Sequence, residues 1–295
     1  MPNSKYFIYL LALCIAWLQL FSTSAFAAQP IVIAEKGGGT GPFEHTLVGA
    51  ALAVERGADY LQIQVMLSAD NIPIGFSDLT LNRLTDVVKL FPDRHRDDGG
   101  FYVADFTLRE LRQLRLQPPF ESGPDAPLLP LVSLEEMLNL LRHLNTLSGH
   151  TTGLVIELNH PAFHKKEAKE QAKVVLDLLQ DYPNLITGGH LYLSSVDGEQ
   201  LQQLHDGLFP QRSLSLPLIQ LFATDDQNGA PAKTGSDWLL TNSGLRLVST
   251  YATALCLPVE MLEANSAQSV PTGYFDEVRK YGLQLFISGI TLKGF

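Results

Sequence analysis

Apolar runs and polar breaks follow one another along this chain in an order that predicts its elements. Residues 31–34 are an apolar run ending in Glu35, Lys36 and three glycines, a strand followed by a tight turn. Past Glu44-His45-Thr46, the spacing over 47–57 predicts a helix. Residues 58–67 read as a strand whose apolar positions are interrupted by Gln62 and Gln64, and a further strand from Ile72 ends near Ser77. The same reasoning predicts strands over 153–158, 191–195, 216–222, 255–258 and 283–287. Helices are predicted over 165–179, 197–208, 237–251 and 274–281. Two more open on Thr107 with Glu110 and on Ser133 with Glu136, each pair at the spacing of a capping box. The polar, turn-rich stretches 85–107 and 118–130 read as loops of an insertion spanning about 86–130. Strands separated by helices over this length predict an α/β fold with a mostly parallel sheet, closed as a TIM (β/α)8-type barrel. Such a barrel keeps its chemistry at the strand ends, where Glu35, Gln62, Gln64 and Ser77 fall.

The first 27 residues follow a different pattern. Lys5 precedes an apolar run over 7–21, and Ala25-Phe26-Ala27 forms a small-x-small cleavage site. The run is shorter than the roughly 20 residues a bilayer-spanning helix needs, so 1–27 reads as a cleaved export signal and the protein as periplasmic or secreted. Residues 28–295 then form a single barrel domain. Cys14 leaves with the signal, so Cys256 has no partner for an internal disulfide, and its apolar surroundings read as core. The formal net charge of −10 lacks the basic footprint that nucleic acid requires.

Glu44-His45-Thr46, Gly57-Ala58-Asp59-Tyr60 and Thr80-Leu81-Asn82-Arg83 stand here in one order. With Phe91-Pro92-Asp93-Arg94, Asp105-Phe106-Thr107-Leu108 and Pro161-Ala162-Phe163-His164, they resemble the glycerophosphodiester phosphodiesterase family, its exported branch in particular. The resemblance implies a TIM barrel with a small insertion. It also implies a calcium or similar divalent cation at the barrel mouth and two histidines for acid–base work. The implied reaction splits glycerophosphodiesters into glycerol 3-phosphate and an alcohol.

Carried over position by position, the implied machinery is largely substituted. Glu35 stands where the family has its first histidine, and Lys36 stands for its phosphate-gripping arginine. Gln62 and Gln64 stand for two metal carboxylates, and Glu157 keeps the third. Ser77 stands for the second histidine, and Asn159 for a lysine. A hard divalent cation prefers charged oxygens, so one carboxylate in place of three predicts a weak or absent metal site. Each lost general acid or base costs about 10²- to 10⁴-fold in rate. The family's final strand–helix unit finds no counterpart after 287. Three readings stay open: a binding or interaction pseudoenzyme, for a phosphodiester small molecule or a protein; an active phosphodiesterase with a remodelled site; and a truncated gene copy without function. Oligomeric state is not legible.

Other groups read more plainly. His160 and His164 lie four apart, but Pro161 places them at a solvated helix start. Arg94, His95 and Arg96 read as a solvated knot balanced by Asp93, Asp97 and Asp98. The glycines 37–39 fit a phosphate cradle and a tight turn equally well. Mass measurement of the exported protein is expected to place its first residue at Ala28; a chain still carrying residues 1–27 would show an uncleaved anchor instead.

Overall fold

The apolar runs satisfy their backbone hydrogen bonds in a single nine-stranded sheet. The structure is a computed structural model, which describes residues 30–38, 43–117, 128–222, 237–262 and 269–290. Residues 32–295 form the compact unit that carries the fold. The expected export signal, 1–27, lies outside the described residues, as does the loop 118–127.

The strands are β1 (Ile33–Ala34), β2 (Tyr60–Leu67), β3 (Pro73–Gly75), β4 (Val132–Ser133), β5 (Gly153–Leu158), β6 (Leu191–Ser195), β7 (Leu218–Leu221), β8 (Ala254–Pro258) and β9 (Gln284–Ser288). Their order is β4-β3-β2-β5-β6-β7-β8-β9, with β1 also paired to β2. The pairs β1–β2, β2–β5 and those onward to β8–β9 are parallel; β3 and β4 form an antiparallel extension. This is the TIM-barrel type of sheet, left open. Among the described residues no strand joins β9 to β1, but the Gly289 N–H donates to Glu35 Oε1 at 2.9 Å across the gap.

Alternation sorts the side chains. Leu61, Ile63 and Val65 of β2 and Leu154, Ile156 and Leu158 of β5 point outward into the main core beneath the helices. Tyr60, Val155, Tyr192, Ile219, Cys256 and Phe286 form a separate cluster on the other face, and Gln62, Gln64 and Glu157 share their two-residue period. The insertion is not the open loop its composition suggests. It has short helical turns at Val87–Leu90 and Val103–Asp105 and shares a core with β3, built on Ile74, Phe76, Val103 and Phe106.

Both capping boxes form as the sequence implies. Thr107 Oγ1 accepts from Glu110 N and Ser133 Oγ from Glu136 N, with each glutamate reaching back to its cap. Several predicted helices are broken instead. The span 165–179 is two helices, Pro161–Lys166 and Gln171–Leu179, with Ala168 between them at φ 53°. The break turns Gln171 inward, where Nε2 donates to the carbonyls of Val65 at 2.7 Å and Asn159 at 3.1 Å. The span 197–208 ends in a π-helical turn, Leu204–Leu208, and 237–251 is a 3-10 turn followed by the helix Asn242–Val248.

Gly244 is required in that last helix: a Cβ there would lie 2.0 Å from the Trp238 carbonyl oxygen. Gly244→Ala is therefore expected to destabilise the fold by about 1–3 kcal/mol, as overpacking does, read as a lower denaturant midpoint. An unchanged midpoint would show that the 3-10 turn Asp237–Leu240 moves freely.

Candidate functional site

The strand ends bring the sequence-predicted positions together around one carboxylate. Gln62 and Gln64 lie side by side with Val155 and Glu157, because β2 and β5 pair in that register. Glu157 is 8% exposed. Its Oε2 accepts from Gln62 Nε2 at 2.6 Å and its Oε1 from Gln64 Nε2 at 3.2 Å. The amide oxygens face away: Gln62 Oε1 accepts from the Lys36 backbone N–H at 3.0 Å, and Gln64 Oε1 lies 3.4 Å from His45 Nε2. Burial is the main cause that pushes the Glu157 carboxyl up to about 7, and the nearby Glu35 charge adds to it, against the lowering effect of the two amides.

These residues do not fit a divalent cation as they are arranged. Such ions collect oxygen ligands, whereas here two amide nitrogens face the carboxylate and the Gln62 amide oxygen already accepts from the Lys36 N–H. Among the described residues, no three His, Cys, Asp or Glu side chains cluster at metal-binding spacing.

The remaining predicted residues are also engaged within the protein. Lys36 turns back on itself at φ 52°, ψ 38°, and its Nζ pairs with Glu44 Oε1 at 2.9 Å. Ser77 Oγ has two acceptors for its one proton, Glu44 Oε2 at 3.4 Å and Asp78 Oδ1 at 3.5 Å, both long. Asp78 is gripped by the Arg83 fork at 2.8 and 2.6 Å. Asn159 Nδ2 donates to the Ser77 carbonyl at 2.8 Å, so this side chain fastens β5 to the segment after β3. Glu35 reaches across to Gly289, as described above. Close packing accounts for the described part of the glycine turn, since a Cβ on Gly38 would sit 2.3 Å from Ala53 Cβ and 2.8 Å from the Gly49 carbonyl.

Two participants have no signal in the pattern of the sequence. Glu44 and His45 read there as scaffold, yet Glu44 bridges Lys36 and Ser77, and His45 lies against Gln64. His45 adopts φ 53° and is 3% exposed. Burial above all, with the Lys36 charge, pushes its pKa down to about 3, so the ring is neutral. His160 also reaches the site, at φ 48°, with Nε2 3.3 Å from the Ser77 carbonyl. A left-handed backbone at a non-glycine residue is uncommon, and no sequence pattern announces it.

Two sequence expectations need correction. His164 is not solvated: it is 1% exposed, its Nε2 accepts from the Leu67 N–H at 3.0 Å, and burial lowers its pKa to about 4. Arg96 is not in a solvated knot: it forks to Asp105 and Glu167 at 2.7–3.0 Å and lies over the Tyr102 ring at 4.3 Å. That clamp ties the insertion to the segment after the helix Pro161–Lys166, because a guanidinium offers enough donors for two carboxylates. Arg94 likewise pairs with Glu110 at 2.8 Å. Cys256 is core-facing as expected, and burial pushes its thiol up to about 12, so it stays protonated.

The sequence profile of the Glycerophosphoryl diester phosphodiesterase family matches residues 34–289. The chain is 31% identical over 265 residues to the glycerophosphodiester phosphodiesterase of Treponema pallidum, covering 83% of this chain and 74% of that one. It is 30% identical over 263 residues to the enzyme of the same name from Haemophilus influenzae, covering 82% and 72%. Among solved structures, it is similar to an Oleispira antarctica phosphodiesterase solved with the product sn-glycerol-3-phosphate. There the TM-score is 0.61 at 19% identity, over 89% of this chain and 85% of that one. A Thermotoga maritima glycerophosphodiester phosphodiesterase gives a TM-score of 0.56 at 19% identity, over 89% and 86%. The structural likeness establishes the barrel fold.

The Glu157 carboxyl supplies a test of the ring. Its ordinary value is 4.5, and the fold holds its proton up to about 7. Between these values the folded state binds more proton than the unfolded chain, so stability falls as pH rises through this window. The contribution is present below about pH 4.5 and gone above about pH 7, roughly 3 kcal/mol in all. Unfolding measured across this range is expected to show that decline relative to Glu157→Gln; parallel curves would mean an ionised, solvated Glu157.

Proposed function

Because the chain belongs to the Glycerophosphoryl diester phosphodiesterase family, we propose that it keeps the family's barrel but binds rather than hydrolyses. Its occupant at the barrel mouth is a phosphodiester small molecule or a protein partner. The observation that carries this reading is the pair of hydrogen bonds that Gln62 and Gln64 donate to the two oxygens of Glu157, which turn amide nitrogens and not oxygens toward the carboxylate. Hydrolysis of a phosphodiester needs the charge of the phosphate screened and a group to move protons. Glu35, at the position of the family's first histidine, accepts the Gly289 N–H instead. Ser77, at the second, is a hydroxyl that does not donate a proton near neutral pH without help. Lys36 is the side chain that would meet a ligand phosphate, and Glu44 must release it first. In this reading the protein is exported and works outside the cytoplasm.

The test is release of glycerol 3-phosphate from glycerophosphocholine, with and without added calcium. The unaltered chain is compared with one carrying Glu35→His, Lys36→Arg, Gln62→Glu, Gln64→Asp, Ser77→His and Asn159→Lys. The unaltered chain is expected to be at least about 10²- to 10⁴-fold slower than the six-site variant, the usual cost of one missing acid or base, and calcium is expected to accelerate only the variant. Equal turnover by the two would end the proposal in favour of an active enzyme with a remodelled site.

A further inference from the structure

The orientation of the Gln64 amide decides whether its nitrogen or its oxygen faces Glu157, and His45 is the group that faces its oxygen. Gln64 Nε2 is spent on Glu157 at 3.2 Å, so Gln64 Oε1 is an acceptor. The contact at 3.4 Å to His45 Nε2 is therefore a hydrogen bond only if that nitrogen carries the proton. In a neutral imidazole Nδ1 is then bare, an acceptor that needs a donor. His45 Nδ1 is fully buried and has no hydrogen-bond partner in the protein. His45 also lines a small cavity, together with Glu44, Ser77 and Gln117 and the apolar walls Phe76, Leu84 and Leu116. Its volume is about 10 Å³, room for one water molecule with polar neighbours.

We propose that this cavity is a binding site for a single structural water, which donates one proton to His45 Nδ1 and the other to the Glu44 carboxylate. The water holds His45 as the Nε2–H tautomer. The tautomer holds Gln64 with its nitrogen toward Glu157, which keeps the ring closed to cations. His45 is thus a positioning residue, acting through Gln64. Its backbone is well fixed for this role. The His45 N–H donates to the Lys36 carbonyl at 2.6 Å, and a Cβ added to Gly37 or Gly75 would meet the His45 backbone or Cβ at 3.0 and 3.3 Å. The imidazole therefore has little freedom to swing away from Gln64. The inference rests on the ring as the site's defining feature, but it concerns what orients the ring and not whether the protein turns over a substrate.

Imidazole-labelled protein reports the tautomer through its long-range nitrogen–proton correlations. The expected result is a His45 ring protonated at Nε2, with Nδ1 accepting a hydrogen bond and magnetisation passing to a long-lived water. A ring protonated at Nδ1, or an Nδ1 with no water in contact, would overturn the proposal. His45→Phe keeps the ring's bulk and removes both nitrogens. In that variant the Gln64 side-chain amide hydrogens are expected to exchange about tenfold faster, while the Gln62 amide is unaffected and the backbone spectrum is retained. Leu116→Phe fills the cavity and is expected to abolish the water signal with the fold intact. Unchanged Gln64 exchange in a folded His45→Phe protein would also overturn the proposal. The turnover assay above is independent of these readouts, so activity in the unaltered chain and a wrong His45 tautomer are separable failures.

Discussion

Glu157 is a carboxylate held in the barrel face by two neighbouring amides, and the architecture of the site follows from keeping it there. An isolated charge in such a place is costly unless it is paired or protonated. Here the cost is met in both ways at once: Gln62 and Gln64 supply N–H donors, and burial raises the proton affinity so that the group is part-protonated near neutrality. The amides must then dispose of their own oxygens, and they do so on the Lys36 backbone and toward His45. Each satisfied group passes the demand to the next, as in any buried polar network.

Electrostatics around the ring points the same way. The cations near the mouth, Lys36 and Arg83, are each committed to a carboxylate, Glu44 and Asp78. Among the described residues, those two pairs leave Glu35 and Glu157 as further acids in the same region. A phosphodiester arriving there meets a field that its own charge opposes unless a positive group is released to it. A single hydrogen bond holds Lys36 to Glu44, whereas two hold Arg83 to Asp78, so Lys36 is the cation more easily released.

Removed from the ring, the fold is secured by contacts between segments far apart in sequence. The Arg96 fork joins the insertion to Glu167, Gln171 fastens the second of two helices to β2 and to the end of β5, and Glu35 spans the open side to Gly289. The last of these changes the role of Glu35. In the fold it serves as an acceptor for the Gly289 backbone N–H at the open side of the sheet.

Much of this was legible in the linear chain. Alternation about Gln62 and Gln64 and the capping boxes at Thr107 and Ser133 are local properties set by local physics, and the run of short phrases added a resemblance to a known family. They determined the strand–helix order, the barrel type, and which positions gather at the strand ends. The rest required the third dimension. No spacing rule predicts that Ala168, His45 and His160 adopt left-handed backbones, because those angles are imposed by packing against other segments. No composition rule predicts that Arg96 and His164 turn inward, because their partners, Asp105 with Glu167 and the Leu67 N–H, belong to other segments. Most of all, the sequence named Gln62, Gln64 and Glu157 as neighbours, but only the folded register could decide that the amides would face the carboxylate with their nitrogens, since that choice depends on what waits for their oxygens on the other side.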